Sequence, residues 1–236
     1  MSYDKIRLLI AIVAVIGVVL VTISSFFKKK RVFTNDFIAK TAIFGAISII
    51  LYTVPIFQFK VPFFPSFLEI HLDEIPALIA GFAYGPISGI VIIVIKTIAK
   101  LPLTSTACAG ELADLIYSIA FIVPASLLYK KMHSLKGALI SLLIGMVVQI
   151  AVASIFTTFV MLDVYVFLYP FLTKADILAM CQAINPAISD LTWPFLLMVS
   201  VPFNAFKDAI VVVATLLLYK RLHRFIDKMS TKKARA

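Results

Sequence analysis

Long apolar runs alternate with short charged segments along the chain. Residues 8–27 are free of charge and mostly apolar, long enough to cross roughly 30 Å of hydrocarbon as a helix. A signal peptide is the competing reading. No small-residue cleavage site follows, however, and Lys28, Lys29, Lys30 and Arg31 form a stop-transfer flank. Further spans are predicted at about 39–56, 75–84, 86–99, 111–129, 137–162 and 191–219. The third and fourth are short and meet at Gly85-Pro86, where a proline suits the first turn of a new helix. They predict a tight helical hairpin whose thin end packs inside a bundle. The longest connection, 163–190, is itself mostly apolar and aromatic.

Composition agrees with a membrane protein. Of 236 residues, 62% are apolar and 14% charged, and mean hydropathy is +1.06; a soluble domain is nearer half apolar and a quarter charged. Basic residues outnumber acidic ones 22 to 12. If the 28–40 linker is cytoplasmic and the spans alternate, 15 of those 22 fall inside, as the positive-inside bias requires. Glu69, Asp73, Glu74, Asp163, Asp176 and Asp190 fall on the opposite side. The basic excess therefore reports topology, not nucleic-acid binding. This orientation puts the N-terminus outside, the C-terminus in the cytoplasm, and the chain in the cell membrane as a multi-pass protein. Neither a P-loop nor a Rossmann glycine pattern is present, so any ATP that drives transport must bind another chain. Visible internal repeats, which favour a secondary transporter, are missing.

Four groups of residues carry candidate chemistry. The loop 57–74, FQFKVPFFPSFLEIHLDE, holds five Phe and two Pro. It reads either as a lid with large aromatic contact area or as an interfacial aromatic belt; as a lid it brings Phe67 and Leu68 to the ligand. The segment 101–114, LPLTSTACAGELAD, places Thr104, Thr106, Glu111 and Asp114 at the outer mouth of a helix. These residues either bind a ligand or cap the helix and complement its dipole. Asn204 and Lys207 lie inside the last span, three apart and on one helical face. A charged side chain there is costly and faces a cavity or a partner, so the pair either binds substrate or ties Lys207 to an acid such as Glu111. Ala42 and Ala46, with Thr41 and Gly45, leave a smooth strip on the second span where another membrane helix can pack. Lys96 and Lys100 are explained by snorkelling to the interface. Cys108 and Cys181 fall in outer loops, where a disulfide is allowed but unpaired thiols are expected. Neither they nor the three scattered histidines have metal-ligand spacing.

Read together, IPALIAGFAYGPISG (75–89), Ile95-Lys96, GELAD (110–114), YKKMHSLKGALI (129–140), VPFNAFK (201–207) and LLYKRL (217–222) resemble the riboflavin-type substrate-binding S component of energy-coupling factor (ECF) vitamin transporters. The resemblance runs from about 37 to 222. It implies an all-α integral membrane protein: a six-helix S-component bundle over 36–225, preceded by an additional N-terminal transmembrane helix and basic linker in 1–35 and followed by a basic cytoplasmic tail in 226–236. It implies no enzymatic activity and no cofactor, with riboflavin or FMN as the transported ligand. The implied partners are a membrane coupling subunit, meeting Ala42 and Ala46, and two ATP-binding subunits. Asn204 and Lys207 match the family segment that hydrogen-bonds the flavin ring. A family Asn six residues before a proline in the fifth helix maps to Val164, with Asp163 its polar neighbour. GELAN appears as GELAD, and Asp208 stands where glycine is usual.

Two other classes make different demands. An intramembrane enzyme needs a nucleophile with a base, or a metal cluster, which His71, His133 and His223 do not supply. A secondary transporter would use Lys96, Glu111, Asp114 and Lys207 as an ion relay.

Overall fold

The computed structural model describes residues 34–234, with side chains to residue 221; the predicted span at 8–27 and nearly all of the 1–35 segment lie outside them. Helix α1 (Asn35–Thr53) starts at Thr34, whose side chain accepts from Phe37 N at 3.2 Å, satisfying one orphan donor of the first turn. Its buried residues Phe37, Thr41, Gly45, Ser48 and Tyr52 recur every three or four positions and form one inward stripe.

The predicted hairpin is present as α2 (Glu74–Tyr84) and α3 (Pro86–Lys100). Gly85 between them has φ +98° and ψ 169°, a conformation essentially restricted to glycine, and Pro86 opens α3. Every residue from Glu74 to Ala83 is buried, so α2 is an interior helix.

Helices α4 (Ala109–Tyr129) and α5 (Leu135–Phe156) follow. Ser134 caps α5 by accepting from Gly137 N at 3.0 Å. The pair packs closely because α5 presents Gly145, where a Cβ would stand 2.7 Å from the Phe121 carbonyl oxygen. A π-helical turn, Thr157–Met161, joins α5 to α6 (Leu162–Leu168), making one span of 34 residues. The connection from 163 to 190 thus carries helical structure: α6, then α7 (Lys174–Gln182), whose start is fixed by a reciprocal Thr173–Asp176 capping box. After α8 (Trp193–Phe195) a second π-helical turn, Leu196–Ser200, leads into α9 (Val201–Ala234). Residues 226–234 of the expected basic tail are the end of α9.

Five helical stretches are long and apolar enough to cross a membrane, and α2 is a shorter apolar sixth, matching the six predicted spans among the described residues. One apolar cluster, including Leu78, Phe121, Ile122, Tyr129 and Leu142, fills the interior between α2, α3, α4, α5 and α9. A second gathers Leu162, Ile177, Cys181, Ile188, Phe195 and Val199 beneath α7.

Candidate functional site

A cavity of about 420 Å³ opens among the ends of these helices. Its walls come from Tyr52 of α1, the 57–74 loop, Lys100 of α3, the hydroxyl-rich turn before α4, and Glu111, Asp114 and Tyr117 of α4. Thr157, Met161 and Tyr165 close one side, and Ser200, Phe203, Asn204 and Lys207 close another.

The cavity floor is ionic. Lys207 is 5% exposed, and its ammonium lies 3.6 Å from Glu74 Oε1, beyond hydrogen-bond range. Glu74 Oε1 also accepts from Ser118 at 2.9 Å and Gln149 at 3.3 Å. Lys96 does not snorkel. It is fully buried and donates to Asp73, to Asp114 Oδ2 at 2.7 Å and to Ser118 at 3.3 Å, while lying 4.5 Å from the Tyr52 ring centroid. Two carboxylates and an aromatic face replace the water that a snorkelling ammonium would have sought. Asn204 donates to Ser200 O at 2.8 Å and to Ser154 Oγ at 3.3 Å, which fixes its amide against α5.

At the mouth, the hydroxyls of Thr104 and Thr106 donate to Glu111 Oε2 at 2.8 and 2.6 Å. Each also accepts from the backbone: Thr104 from Thr106 N and Cys108 N, Thr106 from Gly110 N, all at 3.0 Å. Capping and carboxylate anchoring, alternatives in the sequence, are done by the same two hydroxyls. The turn they hold is strained, with Ala107 and Cys108 at φ 49° and 68°.

The 57–74 loop folds over the cavity. Its ends are joined by reciprocal backbone hydrogen bonds between Phe59 and Ile70, at 3.0 and 2.8 Å. Phe64 sets its ring edge-on to Phe203 with centroids 5.3 Å apart, and Phe63 meets Phe206 at 6.0 Å. The His71 ring stands on edge against Tyr52 at 5.2 Å. Burial pushes its pKa below the ordinary 6.5, so the loop is anchored by an uncharged imidazole at neutral pH.

Of the residues singled out in the sequence, Phe67, Leu68, Thr106, Glu111, Asp114, Asn204 and Lys207 line this one cavity, and Thr104 acts through Glu111. Lys207 pairs with Glu74, not with Glu111. Asp163 and Val164 are not among the lining residues; Asp163 is half-exposed and ion-paired with Lys174. The π-helical turn just before them inserts an extra residue into the helical register and directs Thr157, Met161 and Tyr165, four apart, at the cavity. Ala42 and Ala46 are exposed, whereas Thr41 and Gly45 face inward, Thr41 bonding Ser88 at 3.1 Å. Cys108 and Cys181 are unpaired. Sequence reasoning missed Tyr52, Tyr117 and Tyr165, although Tyr117 sits three residues beyond Asp114 on one helical face.

The chain matches the family described as "ECF transporter, substrate-specific component" over residues 36–219, and it belongs to that family. A substrate-specific component of this kind works with an ECF coupling subunit and two ATPases. The riboflavin transporter RibU of Staphylococcus aureus (strain TCH60) is 27% identical over 183 residues, covering 78% of this chain and 89% of the relative. The riboflavin transporter FmnP of Bacillus subtilis (strain 168) is 27% identical over 196 residues, covering 81% and 95%. A solved structure of the S component of a bacterial ECF transporter superposes with a TM-score of 0.62 at 25% identity, covering 81% of this chain and 98% of that one.

Proposed function

We propose that this chain captures riboflavin, or its phosphate ester FMN, at the outer face of the plasma membrane and delivers it with the coupling subunit and its ATPases. It acts by binding and has no catalytic step of its own. The observation that carries this reading is the presence of Asn204 and Lys207 together on the wall of a half-enclosed, aromatic-lined cavity. A flavin edge offers two carbonyl acceptors and an imide N–H; the Lys207 ammonium supplies a donor, and the Asn204 amide oxygen, its N–H groups being held by Ser200 and Ser154, joins a carboxylate such as Asp114 as acceptor. Tyr117, Tyr165, Phe203 and Phe67 offer surfaces for a planar ring, and both named relatives are riboflavin transporters. In this reading residues 36–225 form the binding unit, Ala42 and Ala46 meet the coupling subunit, the N-terminus is outside and the C-terminus cytoplasmic.

The test is the absorbance spectrum of the protein purified in detergent from flavin-containing cells, followed by flavin-fluorescence titration of the stripped protein. A flavin spectrum and stoichiometric quenching are expected. Colourless protein that fails to quench added riboflavin would overturn the reading.

A further inference from the structure

The cations around the cavity differ in how they are compensated. Lys207 has Glu74 at 3.6 Å, Lys96 has Asp73 and Asp114, and at the rim Lys60 pairs with Glu69 at 3.2 Å. Lys100 also lines the cavity. Among the described residues it has neither a carboxylate within ion-pair distance nor a hydrogen-bond partner; its ammonium lies 5.4 Å from the Tyr52 ring centroid. The nearby acids are already engaged, Glu111 by Thr104 and Thr106, Asp114 by Lys96 and Glu69 by Lys60. A lysine in the last turn of α3 suits the helix dipole, but that accounts for its position in the helix and leaves its charge without an anion in a half-enclosed site.

We propose that Lys100 is a specificity-determining residue that receives the phosphate monoester of a flavin side chain. The proposal rests on the flavin reading above. Lys100 follows Lys96 by one helical turn, about 6 Å further along α3, so a ligand whose ring edge meets Lys207 at the floor carries its side chain toward Lys100 at the mouth. A phosphate monoester bears about −1.5 to −2 charge at neutral pH, and lysine serves phosphate as a compact point charge. The Tyr52 face holds the ammonium in place by cation–π attraction. The neutral hydroxyls of an unphosphorylated ribityl chain gain far less from the same cation.

The experiment compares FMN with riboflavin on the same purified full-length protein by fluorescence quenching. Lys100→Gln is expected to weaken FMN binding about tenfold or more, the scale of a lost charge-assisted hydrogen bond, and to change riboflavin binding less than about twofold; Lys100→Arg should retain FMN. Riboflavin binding by each variant reports that the fold is intact. Equal loss of both ligands, an unchanged ratio, or a wild-type protein that binds riboflavin but not FMN overturns the assignment while leaving the flavin reading standing. A wild-type protein that binds neither flavin removes both.

Discussion

Lys96 of α3 and Asp114 of α4 meet at 2.7 Å inside the bundle, and Asp73, at the root of the lid loop, takes the same ammonium from another side. Two helices and the loop are joined at one cation withdrawn from water. Removing that cation alone strands two carboxylates, a loss of about 3–5 kcal/mol for a buried pair. Lys96→Met is therefore expected to lower the midpoint of thermal unfolding in detergent clearly, and wild-type stability in that variant would refute the joint.

Lys207 has a different weight. Its only ion pair among the described residues is the long contact to Glu74, so much of its donor capacity faces the cavity. Lys207→Met should weaken riboflavin binding by about 1.5–3 kcal/mol, the range for a hydrogen bond to a charged group, with the bundle still folded. Unchanged affinity in a quenching titration would eliminate the proposed role.

Ala42 and Ala46 sit on the outward side of α1, opposite the stripe that packs inside. Replacing both with Leu leaves the cavity untouched and adds bulk where another helix would approach. Normal flavin binding with loss of uptake and of co-purification with the coupling subunit is expected; a double variant that still co-purifies argues against this surface.

The two thiols are expected to differ in reactivity. Cys181 is buried among Leu162, Ile177 and Phe195, and burial pushes its thiol up to about 11, whereas Cys108 is half-buried beside the cavity mouth. Because the thiolate is the nucleophile, a membrane-impermeant maleimide on intact cells should label Cys108, spare Cys181, and work more slowly with flavin bound. Labelling only after the cytoplasmic face is opened would invert the proposed orientation.

Asp208 is fully buried, and neither carboxylate oxygen has a hydrogen-bond partner among the described residues. An unsatisfied polar group of this kind costs about 1–3 kcal/mol. Asp208→Ala should raise the unfolding midpoint, and a lowered midpoint would mean that the carboxyl has a stabilising role.

The spans were legible because hydropathy is a one-dimensional signal: the hairpin at Gly85-Pro86 and the boundaries of α4 follow from composition and turn chemistry alone. Asn204 and Lys207 were legible for a related reason, since polar groups inside an apolar run need no partner to be conspicuous. Lys96 was misread because snorkelling is judged from a residue's place along its own helix, whereas its carboxylates come from the lid root and from α4. Val164 was singled out, and Tyr165 passed over, because a count back from Pro170 fixes a position along the chain and not the side of α6 that faces the cavity, where Tyr165 lies. Tyr52 carried no sequence signal, and Lys100 was noticed only as a snorkelling residue. Their relation is made by the packing of α1 on α3.

The interior helix α2 has 11 residues, about 16 Å at helical rise and so roughly half of a bilayer's hydrocarbon thickness. Glu74, its first residue, lies next to Lys207, which is 14 residues from either end of the Trp193–Arg221 span. The floor of the cavity therefore lies at mid-length of the last membrane-crossing stretch. On the proposed reading, a solute resting on Lys207 would already sit half-way along that stretch, and the ATP-driven partners would need to move it only through the remaining half.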